Sequence, residues 1–354
     1  MFFIRPQDIT DEKLLSSSVS EGDPGAWSAA TNYALDARVS VASGTTLTIY
    51  KSLSAGNLNH NPTLDDLNWV EDGTTYGEWD AGVTYVLADR VVSLVTHHVY
   101  ESLAAGNLNH DPDDLANAAW WLDLGPTNKW AMFDSYNATQ TIHPLRIDTT
   151  VQLTGRVDSL ALLNISNAVT VRVVMNTDSE GDVYDHTFDL VSYEGISDWY
   201  SYFFEDVQRL DTIMISDLPA YVDPRIRIVV EGNGVSAVGL GLVSMGLSKN
   251  LGTTLHDGAQ IGITDYSRKE ADEFGNYIIV RRAFSRRGTF NTRIWKSQVD
   301  GVHKVLSDYR TVPAVYVASR DYASTVIFGF FRDFQIEIDY PLESLVSIEI
   351  EGLT

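Results

Sequence analysis

The chain has 354 residues, 44 % of them apolar, enough for about two to four domains with real cores. A net charge of −23 argues against nucleic acid as the main partner, since a phosphate backbone repels it, and the lack of cysteine excludes disulfides and thiolate metal sites. No apolar run approaches the ~20 residues of a membrane helix, so no membrane insertion is expected.

Residues 1–25 read as an N-terminal arm. FFIRP is strand-like, Thr10 is placed to cap a short helix with Asp11 and Glu12 in its first turn, and SSSVSEGDPG is a linker by composition. The opening MFFIRPQDITDEK lacks the basic start and long apolar stretch of a secretory signal, so synthesis in a cytoplasm is expected.

A repeat follows. Trp27, Tyr33 and Arg38-Val39 recur at Trp79, Tyr85 and Arg90-Val91, an offset of 52. YKSLSAGNLNHNP (Tyr50 to Pro62) recurs as YESLAAGNLNHDP (Tyr100 to Pro112) at an offset of 50, and Trp69 matches Trp121 at 52 again. Two small modules, 26–73 and 78–125, are therefore expected, each built of short strands such as RVSV, TIYKSL, RVVSLV and HHVYESL. A unit this small has a marginal core and must fill it with large rings.

From Gly125 the chain turns β-rich. VQLTGRV, ALLNI, VTVRVVMN, DVYDHTFDLVSY, RIRIVVEG and SAVGLGLVSMG predict a β-sandwich over 126–250, jelly-roll-like, with a boundary near GLSKNLGTT. Residues 251–354 form a mixed β-domain. Its strands are NYIIVRRAF, TVIFGFF, FQIEIDY and SLVSIEIEG, and its one short helix is capped by Ser297, apolar at Val299, Val302, Leu306 and Tyr309, and stopped by Pro313. Between Tyr266 and Arg310 there are ten Lys/Arg and five Asp/Glu, a local +5 that leaves −28 for the rest; this segment either docks on an acidic partner or is a solvated face.

The rings of the modules carry the first chemical hypothesis. Sugar C–H faces stack on aromatic rings, and flanking Asn, Asp and His suit hydroxyls. Trp27, Tyr33, Tyr50, Trp69, Trp79, Tyr85, Tyr100, Trp120 and Trp121 are thus candidate carbohydrate-binding residues, against the alternative that they fill the module cores. In the extended pair Trp120-Trp121 one ring should be buried and the other freer. His60 and His110 recur in register, but one His per module with Asn and Asp neighbours is thin for zinc or calcium, and no cofactor or metal is expected. AGNLNHxP reads instead as a turn with glycine at positive φ and asparagines bonded to the backbone. His97-His98 read as surface, and DWYSYFF (Asp198 to Phe204) as core or interface, with a sugar pocket as the other reading. No catalytic motif is present, and Asp333, Glu337 and Asp339 alternate with Phe334, Ile336 and Ile338, as the solvent face of a strand does, so no catalytic residue is assigned.

WDAGVTYVLADRVV…HHVYESL, and more loosely WSAATNYALDARVS…TIYKSL, resemble the small carbohydrate-binding modules attached to chitinases. Where those modules place aromatic binding residues, this chain has AGNLNH. IRPQDIT, the tandem WxxxxxYxxxDRV pattern, GPTNKWAMFD and GFFRDFQIEIDYPLESLVSIEIEGL together resemble tail-tip or baseplate proteins of tailed bacteriophages. That resemblance implies a virion component at the host-facing end of the tail, assembled in the host cytoplasm beside other tail proteins as a symmetric oligomer.

The sequence therefore predicts a mainly all-β structural protein whose modules attach to host-surface glycans, multiplied by copy number. Two alternatives stand beside it: a purely architectural tail protein whose modules contact neighbouring subunits, and a glycan-degrading enzyme with accessory modules.

Overall fold

The strand Phe2–Pro6 holds the largest sheet together. Alternate side chains of a strand face opposite ways, so Phe3 enters one core with Phe290 and Tyr316 while Ile4 enters another with Ala161 and Val315. In the computed structural model, which describes all residues except 66, 193–197, 201–207, 272–276, 339–340 and 354, this strand lies between Val238–Asn250 and Ala314–Val317. The described residues are 54 % strand and 7 % helical, a mainly all-β fold.

The ten-stranded sheet runs in the order Thr212–Ile215, Ser159–Ser166, Val238–Asn250, Phe2–Pro6, Ala314–Val317, Val326–Glu337, Glu343–Gly352, Phe284–Trp295, Thr253–Asp265, with Thr141–His143 also on Val238–Asn250. It crosses the expected boundary near 250 without a break. Gly246 lies where the sheet is tightest, opposite Pro6, and a Cβ there would collide with the Arg5 carbonyl oxygen. A second sheet, Gly181–Asp189, Ala168–Thr177, Arg225–Gly232, Arg146–Gln152, Leu14–Ser17, packs on the first. Ile147, Val171, Ile226, Leu160, Leu240 and Met245 fill the space between them, a sandwich core. Helix Val299–Asp308 closes the other end of the large sheet with Val302 and Leu306 buried on Phe290, Ile348 and Ile350.

Several local expectations are corrected. Thr10 starts a turn, not a helix: its carbonyl accepts from Lys13 and Leu14 N–H, and the chain then enters the strand Leu14–Ser17. SSSVSEGDPG is packed rather than a free linker, because Val19 joins the sandwich core and Glu21 is buried among donors. Ser297 sits inside a 3₁₀ turn, Lys296–Gln298; the helix entry is held by the Gln298 side chain accepting the Trp295 N–H at 3.0 Å. The strand Thr253–Asp265 is an exposed edge, with Ile261 and Ile263 in solvent rather than in a core. Of DWYSYFF only Asp198 to Tyr200 lie within the described residues, and Asp339 lies outside them. Asp333 and Glu337 are exposed while Phe334 and Ile336 pack against the helix cluster.

Candidate functional site: the tandem modules

Each module is a three-stranded sheet with a two-strand clip. The first has Arg38–Ser43, Thr46–Ser52 and Trp69–Tyr76, with Asn32–Tyr33 paired to Asn57–Leu58; the second has Arg90–Ser93, His98–Ser102 and Trp121–Pro126, with Thr84–Tyr85 paired to Asn107–Leu108. The slip from 52 to 50 is the first hairpin, which spans 38–52 against 90–102.

The repeated AGNLNH is a turn that clasps an indole. Gly56 and Gly106 take φ of 77° and 75°, and Asn59 and Asn109 follow at 59° and 56°. Asn57 and Asn107 are buried; their side-chain amides donate to Ser52 Oγ (2.9 Å) and Ser102 Oγ (3.1 Å), and their Oδ1 atoms lie 2.9 Å from His60 and His110 Nδ1. The carbonyls of the same histidines accept the Trp69 and Trp121 indole N–H, each at 2.8 Å. A buried indole N–H is costly to leave without an acceptor, and the turn supplies one to Trp69 and Trp121. Nδ1 of each histidine is thereby engaged with an asparagine.

Of the nine rings expected to present faces to a glycan, four fill cores and five are half-buried. Trp69, Trp121, Tyr85 and Tyr100 are buried, which corrects their assignment as stacking platforms. Tyr33 and Tyr85 meet Trp69 and Trp121 edge-on, 5.3 Å between centroids in each module, and their hydroxyls accept the Ser28 and Asp80 N–H. Burial raises the Tyr85 and Tyr100 phenol pKa values, and Tyr50 follows with Glu71 adding to the rise. Tyr33, Tyr50, Trp27 and Trp79 are half-buried; the indole N–H groups of the last two are buried and meet no acceptor among the described residues. Trp120 is half-buried and lies flat on His110, 3.9 Å between centroids and 13° between planes. Its counterpart in the first module is Asn68, bonded to Asp65 and Ser54.

What the modules do expose, in register, is leucine. Leu35 and Leu87 are 56 % and 64 % exposed, Leu53 and Leu103 46 % and 45 %, Leu58 and Leu108 49 % and 47 %. The Asp36 N–H bonds Ser52 O and the Ala88 N–H bonds Ser102 O, each at 2.9 Å, so the first two leucines of each set flank one backbone contact. The surface around them is acidic: residues 26–125 hold three Lys/Arg and thirteen Asp/Glu, a net −10.

Both modules are locked to the body by buried carboxylates. Glu21 receives Thr127 Oγ1 (3.0 Å), Trp130 Nε1 (3.0 Å), Lys129 Nζ (3.4 Å) and His97 Nδ1 (2.8 Å). His97 also stacks on Trp130 at 4.2 Å and reaches Asp11, so it is an internal joint, not a surface residue; its φ of 59° turns it inward at the tip of the second module's hairpin. Asp72 takes Arg38 Nε (2.5 Å) and His143 Nε2 (3.2 Å), and Arg38 Nη2 donates to Ser18 O. Burial works against the Asp72 charge, but the bonds from His143 and Arg38 outweigh it and hold its pKa below the usual carboxylate value. A groove of about 550 Å³ beside it is lined by Asp148, Arg146 and Arg227. The hydrogen bond from Arg227 keeps Asp148 ionised, the reverse of what a glycosidase general acid needs.

Glu21, Asp72 and His143 were not legible as joints, since their partners are distant in sequence. The leucines had a signal, because Leu53, Leu58, Leu103 and Leu108 stand identical within the repeated stretch. No protein-family model matches the chain, and no curated protein and no solved structure matches it.

Proposed function

We propose that the chain is a structural component of a phage tail tip or baseplate whose two modules are rigid contact blocks for neighbouring protein subunits. One observation carries this reading: none of the nine candidate rings stands fully exposed and four are enclosed, while matched leucines stand outside on an acidic surface. Aliphatic side chains offer a protein partner apolar area to bury, whereas a sugar needs an open aromatic face. The buried joints at Glu21 and Asp72 favour fixed blocks over tethered adhesins. The resemblance of IRPQDIT, GPTNKWAMFD and the C-terminal strands to tail-tip proteins supplies the setting, and other tail proteins are the partners. Mass spectrometry and immunogold labelling of virions from a phage encoding the chain test it. The expected result is labelling at the tail tip; absence from purified virions rejects it.

Glycan attachment is kept as a second reading because of Trp120, whose ring is backed by His110 and only half-buried. A glycan array with the full chain and a Trp120→Ala variant decides it. Binding lost in the variant supports the sugar role, and no binding by the unaltered chain rejects it.

A further inference from the structure

Beyond the modules, a continuous run of exposed apolar side chains lies on a ribbon at the far edge of the large sheet. Thr253–Asp265 is the last strand there, paired only to Phe284–Trp295, and the small hairpin Arg268–Ala271 with Tyr277–Val280 continues from their end. Tyr277, Ile278, Ile279 and Val280 are consecutive and all exposed, so both faces of this hairpin stand in solvent. Ile261, Ile263, Tyr266 and Phe284 extend the apolar surface along the ribbon. A two-stranded ribbon with neither face covered has no core of its own, and an open edge strand of this kind is ordinarily covered or blunted.

Its charge says what covers it. The ribbon, residues 253–295, holds seven Lys/Arg and five Asp/Glu, a net +2 in a strongly acidic chain, and the modules are −10. Lys269 and Arg268 are paired locally to Asp265 and Glu270, and Arg286 to Asp211; Arg281, Arg282 and Arg287 make no ion pair among the described residues. An apolar, basic ribbon and an acidic, leucine-bearing module are complementary in both respects.

We propose that this ribbon is an assembly arm that docks on the modules of a second copy of the chain, Ile278, Ile279 and Val280 against the exposed leucines and Arg281 and Arg282 against the module carboxylates. The proposal deepens the structural reading above, rests on its premise that the modules contact neighbouring subunits, and makes one such neighbour a second copy. Two-fold pairing of arm on arm would set Arg281 and Arg282 near their own copies, so the arm meets a module, either reciprocally across a two-fold or head-to-tail around a ring.

Sedimentation of the full chain over a range of protein concentrations, with a photo-crosslinker at Ile279, tests it. We expect self-association that weakens with salt and cross-links from Ile279 into residues 26–125 of another copy, followed with isotope-labelled and unlabelled protein mixed. Arg281→Glu with Arg282→Glu should weaken association about tenfold or more, and Leu58→Ser with Leu108→Ser should do the same from the other side. A monomer at every concentration at low salt overturns the proposal, as do cross-links confined to arm on arm. A monomeric protein that is nonetheless found at the tail tip leaves the tail reading standing and sinks only the arm. Arm-to-module cross-links in a chain absent from virions do the reverse. Because the cross-linking is done on an otherwise unaltered chain, a charge variant that fails to fold does not decide the matter.

Discussion

The two modules have the same interior and different anchors. Around Trp69 and Trp121 the ring geometry, the histidine carbonyl acceptor, the buried asparagine and the tyrosine hydroxyl agree to within a few tenths of an ångström. Even the parallel bridges that start them, Ala26 to Ser40 and Glu78 to Val92, correspond at 52. The attachments do not correspond. The first module is held through Arg38, Asp72 and His143, the second through the tip of its hairpin, where His97 reaches Glu21. Duplication copied what a small β-unit needs in order to fold; the contacts that place it on the body arose separately in each copy.

The sharpest way to break that comparison is at the shared indole. Trp69→Ala and Trp121→Ala each remove the largest ring of a tiny core, and each should cost about 3–5 kcal/mol. Hydrogen exchange should show the loss confined to the altered module; loss spread evenly over both would mean that they fold as one unit. The anchors come next. Asp72→Ala leaves Arg38 and His143 facing each other without their carboxylate, a loss of about 3 kcal/mol, and should raise exchange in the first module while leaving the second near its normal rate. Glu21→Ala should loosen the second module most, through His97, and expose Trp130, which fluorescence would register. If either substitution freed both modules equally, the anchors would be shared after all.

Acid distinguishes the first anchor in a second way. The Asp72 pKa is lowered in the folded chain relative to an unfolded value of about 3.9. Its stabilisation is therefore fully present above that unfolded value and is lost as the pH falls through the folded one. Exchange in the first module, corrected for intrinsic rates, should rise below about pH 4 in the unaltered chain, and the Asp72→Ala variant should lack that component. An unchanged acid response in the variant would mean that other carboxylates govern it.

How much of this was readable beforehand follows the same division. Whatever repeats was legible: the two units, their strands, the turn at AGNLNH and the alternation that separates Trp121 from Trp120. Local rules, glycine at positive φ and β-branched runs, suffice for those features. The anchors were not legible, because Glu21 finds Trp130 and Asp72 finds His143 only once the sandwich has formed. A serine- and glycine-rich segment with one valine and one glutamate reads as a linker until Val19 and Glu21 acquire their burial. The rings misled for a related reason. Composition says that a small unit carries many aromatics, but only packing says which of them are enclosed, and Tyr85, Tyr100, Trp69 and Trp121 all are. The edge strand Thr253–Asp265 escaped because its glycines and polar residues leave only Ile261 and Ile263 in alternation.

The buried asparagines give a smaller and more exacting comparison. Asn57→Ala and Asn107→Ala each take away the partner of a histidine nitrogen and a donor to a serine hydroxyl that keeps its own bond to a carbonyl, a loss of about 1–3 kcal/mol. The Asn107 bond to the Trp120 carbonyl is longer, 3.4 Å against 3.1 Å for Asn57 to Asn68, so the first module should lose slightly more. Chemical denaturation of each variant reads the difference; a larger loss at Asn107 would mean that the neighbouring Trp120–His110 stack depends on it.

The smallest effect lies where the copies differ by one residue at a strained backbone position. Asp36 and Ala88 occupy the same turn with φ of 64° and 69°. An aspartate tolerates this left-handed region through its short polar side chain, whereas alanine has no such compensation and pays the full clash of Cβ with the backbone. Ala88→Gly should therefore raise stability by about 1 kcal/mol net of the extra chain entropy of glycine, and Asp36→Gly should change it little. The turn is backbone-bonded to Ser102, so the gain should appear in thermal melting without any change in what the second module contacts. Equal responses at the two positions would mean that the first module bears the same strain, and that its aspartate is there for charge rather than for the turn.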